Sequence, residues 1–181
     1  MFKILAAVTL SVIPAASALA ASETLTPKQI VTNMIELMRS GQTVKSMETY
    51  YADDFNVKVP FALPVPTDLH GRDHILDLVK QAEAARGPQL PRMYRDLEVR
   101  DLKIYETTDP GVVIAEWVYR SHIGDQVLDN SNIIVVTVRN GKIVESRDYH
   151  DSVRRALGNG TGDKAIETIK GMILPGDPQP K

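Results

Sequence analysis

Hydrophobic residues follow a helical spacing in the first part of the chain. Thr26-Pro27-Lys28-Gln29 supplies a cap residue, a proline at the first helical position and a glutamine at the third, which predicts a helix start. Ser40-Gly41 ends this helix. Its apolar stripe consists of Ile30, Val31, Met34, Leu37 and Met38. The same spacing predicts a second helix over residues 43–52 and a third over residues 71–87.

The second part of the chain alternates apolar and polar residues, which is typical of β-strands. Strands are predicted over residues 112–122, 127–139 and 142–150, after a strand that begins near Tyr94 and bends near Arg100-Asp101. An earlier strand is predicted over residues 55–61, and the proline-rich residues 60–71 are predicted to form a loop. Helices followed by hairpins predict an α+β domain with helices covering one face of a curved antiparallel sheet.

One hairpin sets the positions of the candidate chemical groups. Asn140-Gly141 between two apolar runs favours a two-residue type I′ turn. A regular ladder from this turn pairs Ile133 with Asp148. If the turn at residues 123–126 has two or four loop residues, the next ladder pairs Ile133 with Glu116. Both carboxylates are then expected on one face, with their backbones about 10 Å apart.

This face is predicted to form the floor of a cleft, because its polar side chains alternate with apolar ones. Desolvation there would raise the pKa of a carboxylate into the range that suits a general acid or base. A structural alternative is that Glu116–Arg120 and Arg120–Asp129 are ion pairs and that Asp148 caps a loop. A three-residue turn at residues 123–126 would place Glu116 on the opposite face. The polar residues predicted on the face are Glu116, Arg120, His122, Asp129, Ser146, Asp148 and His150.

Composition narrows the class of protein. Residues 1–20 carry Lys3, an apolar run and a small-residue ending, which predicts a secretory signal peptide; an uncleaved anchor is the alternative. With 21 basic and 23 acidic residues the formal charge is 21 − 23 = −2, and no basic stripe indicates a nucleic-acid partner. The chain contains no cysteine. We therefore expect a bacterial periplasmic or secreted protein without a membrane span after signal cleavage.

Three motifs resemble SnoaL-like proteins of the nuclear transport factor 2-like superfamily: L-H-G-R-D-H-I at residues 69–75, A-E-W at 115–117 and G-K-I-V-E-S-R-D-Y-H-D at 141–151. The resemblance covers residues 27–155 and implies a cone-shaped α+β fold whose mixed or antiparallel sheet and three N-terminal helices form a pocket. A homodimer is expected as well, although not from this resemblance. The resemblance specifies no single reaction, because polyketide cyclases, steroid isomerases, epoxide hydrolases and non-catalytic binders share this fold. The domain is expected over residues 21–157, with a flexible linker, a short helix and a disordered tail over residues 158–181.

The R-D-Y-x-D of the last strand resembles that of limonene-epoxide hydrolases. This resemblance implies that Asp148 is the pocket acid or base and that Glu116 stands where the second acid lies. The chain departs from that pattern at Ile114, where those enzymes have an arginine, so an acid-arginine-acid trio is not supported. The candidate substrate-binding residues are Tyr51, Arg120, Ser146 and His150.

No cofactor or metal is expected. His70 and His74 are four residues apart, a spacing that can hold a metal on a helix, but His70 precedes the helix and no third ligand is evident. We expect a domain that binds a small apolar or amphipathic molecule and isomerises, cyclises or hydrates it without a cofactor. The alternatives are a non-catalytic binding or accessory protein and a purely structural dimer.

Overall fold

Six strands and five helices form the part of the chain that this computed structural model describes, which comprises residues 25–63, 65–86, 98–123, 126–158 and 161–171. The helices are α1 (Pro27–Arg39), α2 (Thr43–Tyr50), α3 (Arg72–Arg86), α4 (Ser152–Gly158) and α5 (Gly162–Gly171). The strands are β1 (Tyr51–Val59), β2 (Thr67–His70), β3 (Glu98–Glu106), β4 (Val112–Ile123), β5 (Gln126–Arg139) and β6 (Lys142–His150). Three predicted features lie outside the described residues: the signal peptide, the end of the third helix at residue 87 and the tail after residue 171.

Helix α1 begins with the predicted capping box. The Thr26 N–H donates to Gln29 Oε1 at 2.8 Å, and the Gln29 N–H donates to Thr26 Oγ1 at 3.2 Å. These two bonds satisfy backbone donors that the first turn of a helix leaves unpaired. The helix then buries Ile30, Val31, Met34 and Ile35. The amphipathic stripe read from the sequence is therefore the face that packs on the sheet.

The strands form one mixed sheet in the order β2-β1-β6-β5-β4-β3. Strand β1 runs parallel to β6, and all other neighbours are antiparallel. The prediction that residues 60–71 form only a loop is wrong at Thr67–His70, which pairs with β1 as the edge strand β2. These four residues contain no proline, so their N–H groups can join the ladder.

The register shifts in three of the ladders, and in the β1–β6 ladder the shift lies between Tyr51 and Asn56. The bend predicted near Arg100-Asp101 is confirmed, because the β3–β4 register shifts between Arg100 and Lys103 and Asp101 has a φ of 55°. The type I′ turn is also confirmed, with φ of 50° at Asn140 and 74° at Gly141. Just beyond that turn, however, Val138 pairs with Ile143 and Thr137 with Glu145, so β6 contains one extra residue. The sequence gives no sign of this bulge.

Because of the bulge in β6, Asp148 lies on the other face of the sheet from the one predicted. Asp148 pairs with Ile134, not with Ile133, whereas Glu116 pairs with Ile133 as predicted. Neighbouring positions on a strand point to opposite faces, so Asp148 and Glu116 lie on opposite faces. The prediction that they share a cleft is wrong, because one inserted residue shifts the ladder by one position.

The inner face of the sheet carries the core. Helix α1 packs on β3, β4 and β5, and α3 packs on β1. The buried residues of β4, β5 and β6 on this face include Val113, Ala115, Trp117, Ile134, Val136, Val138 and Ile143. The α+β class predicted from sequence is confirmed: among the described residues, α1 and α2 precede the first strand, α3 lies between β2 and β3, and α4 and α5 follow β6. None of the helices described is both long enough and apolar enough to cross a membrane.

Candidate functional site

A cavity of about 450 Å³ lies between the inner face of the sheet and the first three helices. Its wall is largely apolar, with a small set of polar side chains at the β6 side, which is the usual composition of a small-molecule site. The apolar residues include Met34, Met38, Met47, Phe55, Val57, Ile75, Val79, Trp117 and Ile134. The polar residues include Tyr51, Asn130, Asn132, Ser146, Asp148, His150 and Arg155. Four sequence-predicted site residues, Tyr51, Ser146, Asp148 and His150, therefore meet in one cavity.

Asp148 is the acidic side chain in this wall. Burial raises the pKa of its carboxyl group, while a hydrogen bond from Ser146 and the positive charge of Arg155 act in the opposite direction. Ser146 Oγ donates to Asp148 Oδ1, and Ser146 itself is buried. This bond fixes the orientation of the carboxyl group. The result is a carboxyl that is more basic than an ordinary aspartate and is held in a defined position.

Tyr51 places a hydroxyl group in the same cavity. Its pKa is raised above the ordinary tyrosine value, mainly by burial and then by the nearby charge of Asp148. The hydroxyl group therefore stays protonated and donates to Met34 Sδ at 3.0 Å. A thioether sulfur is a weak acceptor, so this O–H can turn to a better acceptor on a ligand. The predicted role of Tyr51 in substrate binding is compatible with this position.

His150 and Arg155 form the far end of the cavity wall. Arg155 Nη1 lies 3.2 Å from His150 Nε2. Burial, reinforced by the charge of Arg155, lowers the pKa of His150 to about 4. The imidazole is therefore neutral at neutral pH, and its Nε2 accepts from the Arg155 guanidinium.

Arg155 is a cavity residue that sequence reasoning missed, because α4 was not predicted. The signal for this helix is present in the chain: Asp151 precedes Ser152, and Asp151 Oδ1 accepts from the Arg154 N–H at 2.9 Å, as an N-cap does. Four residues separate Asp151 from Arg155, so one turn of α4 carries Arg155 back over His150.

Glu116 and Arg120 lie on the outer face of the sheet and do not line the cavity. Glu116 Oε1 accepts from the Tyr105 hydroxyl at 2.7 Å and from Lys103 Nζ at 3.1 Å, and these bonds lower the pKa of the carboxyl group. Arg120 donates twice to Asp129, at 2.7 and 2.6 Å. The alternative of a structural Arg120–Asp129 ion pair is thus confirmed, whereas Glu116 pairs with Lys103 and not with Arg120.

The described residues contain no group of three or more histidine, cysteine, aspartate or glutamate side chains placed to hold a metal. His70, one of the two candidate metal ligands, lies at the end of β2 with its Nε2 3.2 Å from Asp68 Oδ1. His74 is an exposed residue in the first turn of α3.

Solved structures share this architecture. A candidate isomerase from Bacillus subtilis superposes with a TM-score of 0.59 at 21% identity, over 73% of this chain and 91% of that one. A candidate polyketide cyclase from Pseudomonas putida gives 0.55 at 11% identity, over 75% and 98% of the two chains. An NTF2-like protein from Burkholderia xenovorans gives 0.53 at 17% identity, also over 75% and 98%.

At these identities the similarity shows the fold alone, and the fold is that of the nuclear transport factor 2-like (NTF2-like) proteins, as the sequence resemblance implied. No protein-family model matches the sequence. Comparison with curated protein sequences finds no match either.

Proposed function

We propose that the mature chain is an exported protein that binds a small, largely apolar molecule in the inner cavity and moves a proton on it with Asp148. The observation that carries the proposal is the Asp148 carboxyl group, held by Ser146 within a predominantly apolar cavity of about 450 Å³. Isomerases and cyclases among the proteins of similar fold are compatible with this chemistry. Export rests on the pattern of residues 1–20 alone.

The mechanism follows from the environment of each group. Ionised Asp148 removes a proton from a carbon next to a carbonyl group of the bound molecule, because its raised pKa makes it a better base than an exposed aspartate. The neutral Tyr51 hydroxyl turns from Met34 Sδ to the carbonyl oxygen, where negative charge develops. Asp148 then returns the proton to another carbon, which isomerises the molecule. In a ring closure the carbanion instead adds to a second carbonyl carbon of the same molecule, and the alkoxide that forms takes the proton from Asp148.

The first experiment compares Asp148→Asn with Glu116→Gln. The substrates are cyclic β,γ-unsaturated ketones, whose isomerisation to the conjugated ketone is followed by absorbance. We expect Asp148→Asn to lower turnover by about 100-fold or more, the usual contribution of a general base. Glu116→Gln is the matched control, because it also removes a carboxylate from the sheet but on the outer face, and it should keep wild-type turnover.

Turnover that survives in Asp148→Asn would refute the assignment of Asp148 as the base. A wild-type protein that binds these ketones without converting them would point to the non-catalytic binding function instead. In the active case the rate should rise with pH through the raised pKa of Asp148 and then reach a plateau, because only the ionised carboxylate accepts the proton.

A further inference from the structure

A second cavity, of about 440 Å³, lies beyond the His150–Arg155 pair. Strands β1 and β2 form one side of it, and α4 and α5 form the other. Its lining includes Thr67, Ser152, Arg155, Thr161, Lys164 and Thr168. His150, Arg155 and Val59 line both cavities, so these three residues form the wall that the two cavities share.

The charged side chains in this second cavity are all basic. Arg155 and Lys164 line it, and no aspartate or glutamate does so among the described residues. Among the residues that the structure describes, neither Arg155 nor Lys164 forms an ion pair, whereas neighbouring Arg154 pairs with Asp151. The contact found for the Arg155 guanidinium is the neutral His150 ring. The charge of Arg155 acts on Asp148 through space, but in the described part of the chain neither Arg155 nor Lys164 is neutralised by an ion pair. Such cations favour an anionic group of a ligand, and a guanidinium binds such groups through paired N–H donors.

We propose that the second cavity is a subsite for an anionic oxygen group, such as a carboxylate or sulfonate, of an amphipathic molecule whose apolar body fills the Asp148 cavity. Arg155 binds the anion at the shared wall, and Lys164 adds a second positive charge from α5. The inference rests on the inner cavity being a ligand site, as the proposed function requires, and it adds the charge of the ligand. This charge would distinguish the ligand from a neutral ring compound of the same size.

Two dyes with one aromatic body test the inference on the mature protein. 8-Anilinonaphthalene-1-sulfonate carries a sulfonate, and N-phenyl-1-naphthylamine is the same body without it. Trp117 is the one tryptophan in the chain and lines the inner cavity, so energy transfer from its indole to the bound dye reports occupancy of that cavity. We expect the sulfonated dye to bind about tenfold more tightly than the neutral dye, as for one added charge-assisted hydrogen bond.

Variants assign the difference to specific side chains. Arg155→Gln should weaken binding of the sulfonated dye by about tenfold, and Lys164→Gln by about threefold. Both side chains are exposed, but an ammonium lacks the paired donors of a guanidinium. Lys164→Gln should leave the affinity of the neutral dye unchanged, and Arg155→Gln should weaken it far less than it weakens the sulfonated dye, because Arg155 also lines the inner cavity. Retained binding of the neutral dye also shows that each variant is folded. Arg154→Gln and Lys170→Gln are the controls: they remove one cation from the same helices but line neither cavity, and both should bind like the wild type.

Equal affinity of the wild type for the two dyes would overturn the anion subsite while leaving the inner cavity as a ligand site. An equal loss of affinity for the sulfonated dye in the control variants would also overturn the anion subsite, because the effect would then come from general surface charge. Failure of the neutral dye to bind at all would be a different result, since it would remove the ligand-binding cavity on which the proposed function depends.

Discussion

At the scale of single residues, the raised pKa that suits Asp148 to act as a base also determines how the stability of the fold changes with pH. Its carboxyl group has a raised pKa in the folded chain because burial disfavours the charged form. The folded state therefore binds more protons than the unfolded state between the ordinary and the raised value. Stability should fall as pH rises through that window, and the loss should stay constant above it.

Asp148→Asn should therefore be more stable than the wild type at neutral pH, by on the order of 1 kcal/mol. An amide remains able to accept from Ser146 but carries no charge. Near pH 3, where Asp148 is protonated in both states, the two proteins should unfold at similar urea concentrations, measured by Trp117 fluorescence. A variant that is less stable than the wild type at neutral pH would mean that the charge of Asp148 supports the fold. Gain of stability with loss of turnover is expected only of a functional carboxylate.

At the scale of elements, the sequence predicted most of the fold but assigned one strand face wrongly. The capping box at Thr26 and the turn at Asn140-Gly141 are local signals, so their outcome does not depend on distant contacts. The bulge in β6 depends on how Ile143 and Ser146 both pack into the core, which no local pattern records. The sequence therefore allowed the grouping of Ser146, Asp148 and His150 on one face. It placed Glu116 on that face wrongly, because the predicted β5–β6 ladder was shifted by one residue.

Helix α4 is the element that completes the polar end of the cavity, and its N-cap can be tested. Asp151→Ala removes the acceptor for the Arg154 N–H, which should weaken this helix by about 1 kcal/mol. Arg155 would then be held less firmly at His150, so the affinity for the sulfonated dye should fall several-fold. Asp151→Asn keeps an acceptor and should behave like the wild type. If both variants lose affinity equally, the charge of Asp151, and not the cap, positions α4.

At the scale of the whole molecule, the two faces of the sheet have different compositions. The inner face holds the cavity and the core. The outer face carries a strip of apolar residues of β4 and β5, where Ile114 pairs with Val135. Ile133 is 43% exposed and Tyr105 45%. The Lys103–Glu116 ion pair lies within this strip, because Glu116 pairs with Ile133, and the Arg120–Asp129 pair lies beside it. Exposed large apolar side chains close to one another, with the charged groups among them paired, are typical of a protein–protein interface.

We therefore expect two copies of the chain to associate through their outer faces as a homodimer. Light scattering on the mature protein should give twice the mass of one protomer. Ile133→Glu should give the mass of a single protomer, because it places a charge at the centre of the buried strip without a partner. Val153→Glu, at a 60% exposed position on α4, is the control and should leave the dimer intact. A wild-type monomer, or a dimer that survives Ile133→Glu, would show that this face is not the interface. Because Asp148 lies on the opposite face, a monomeric Ile133→Glu protein should still bind the neutral dye.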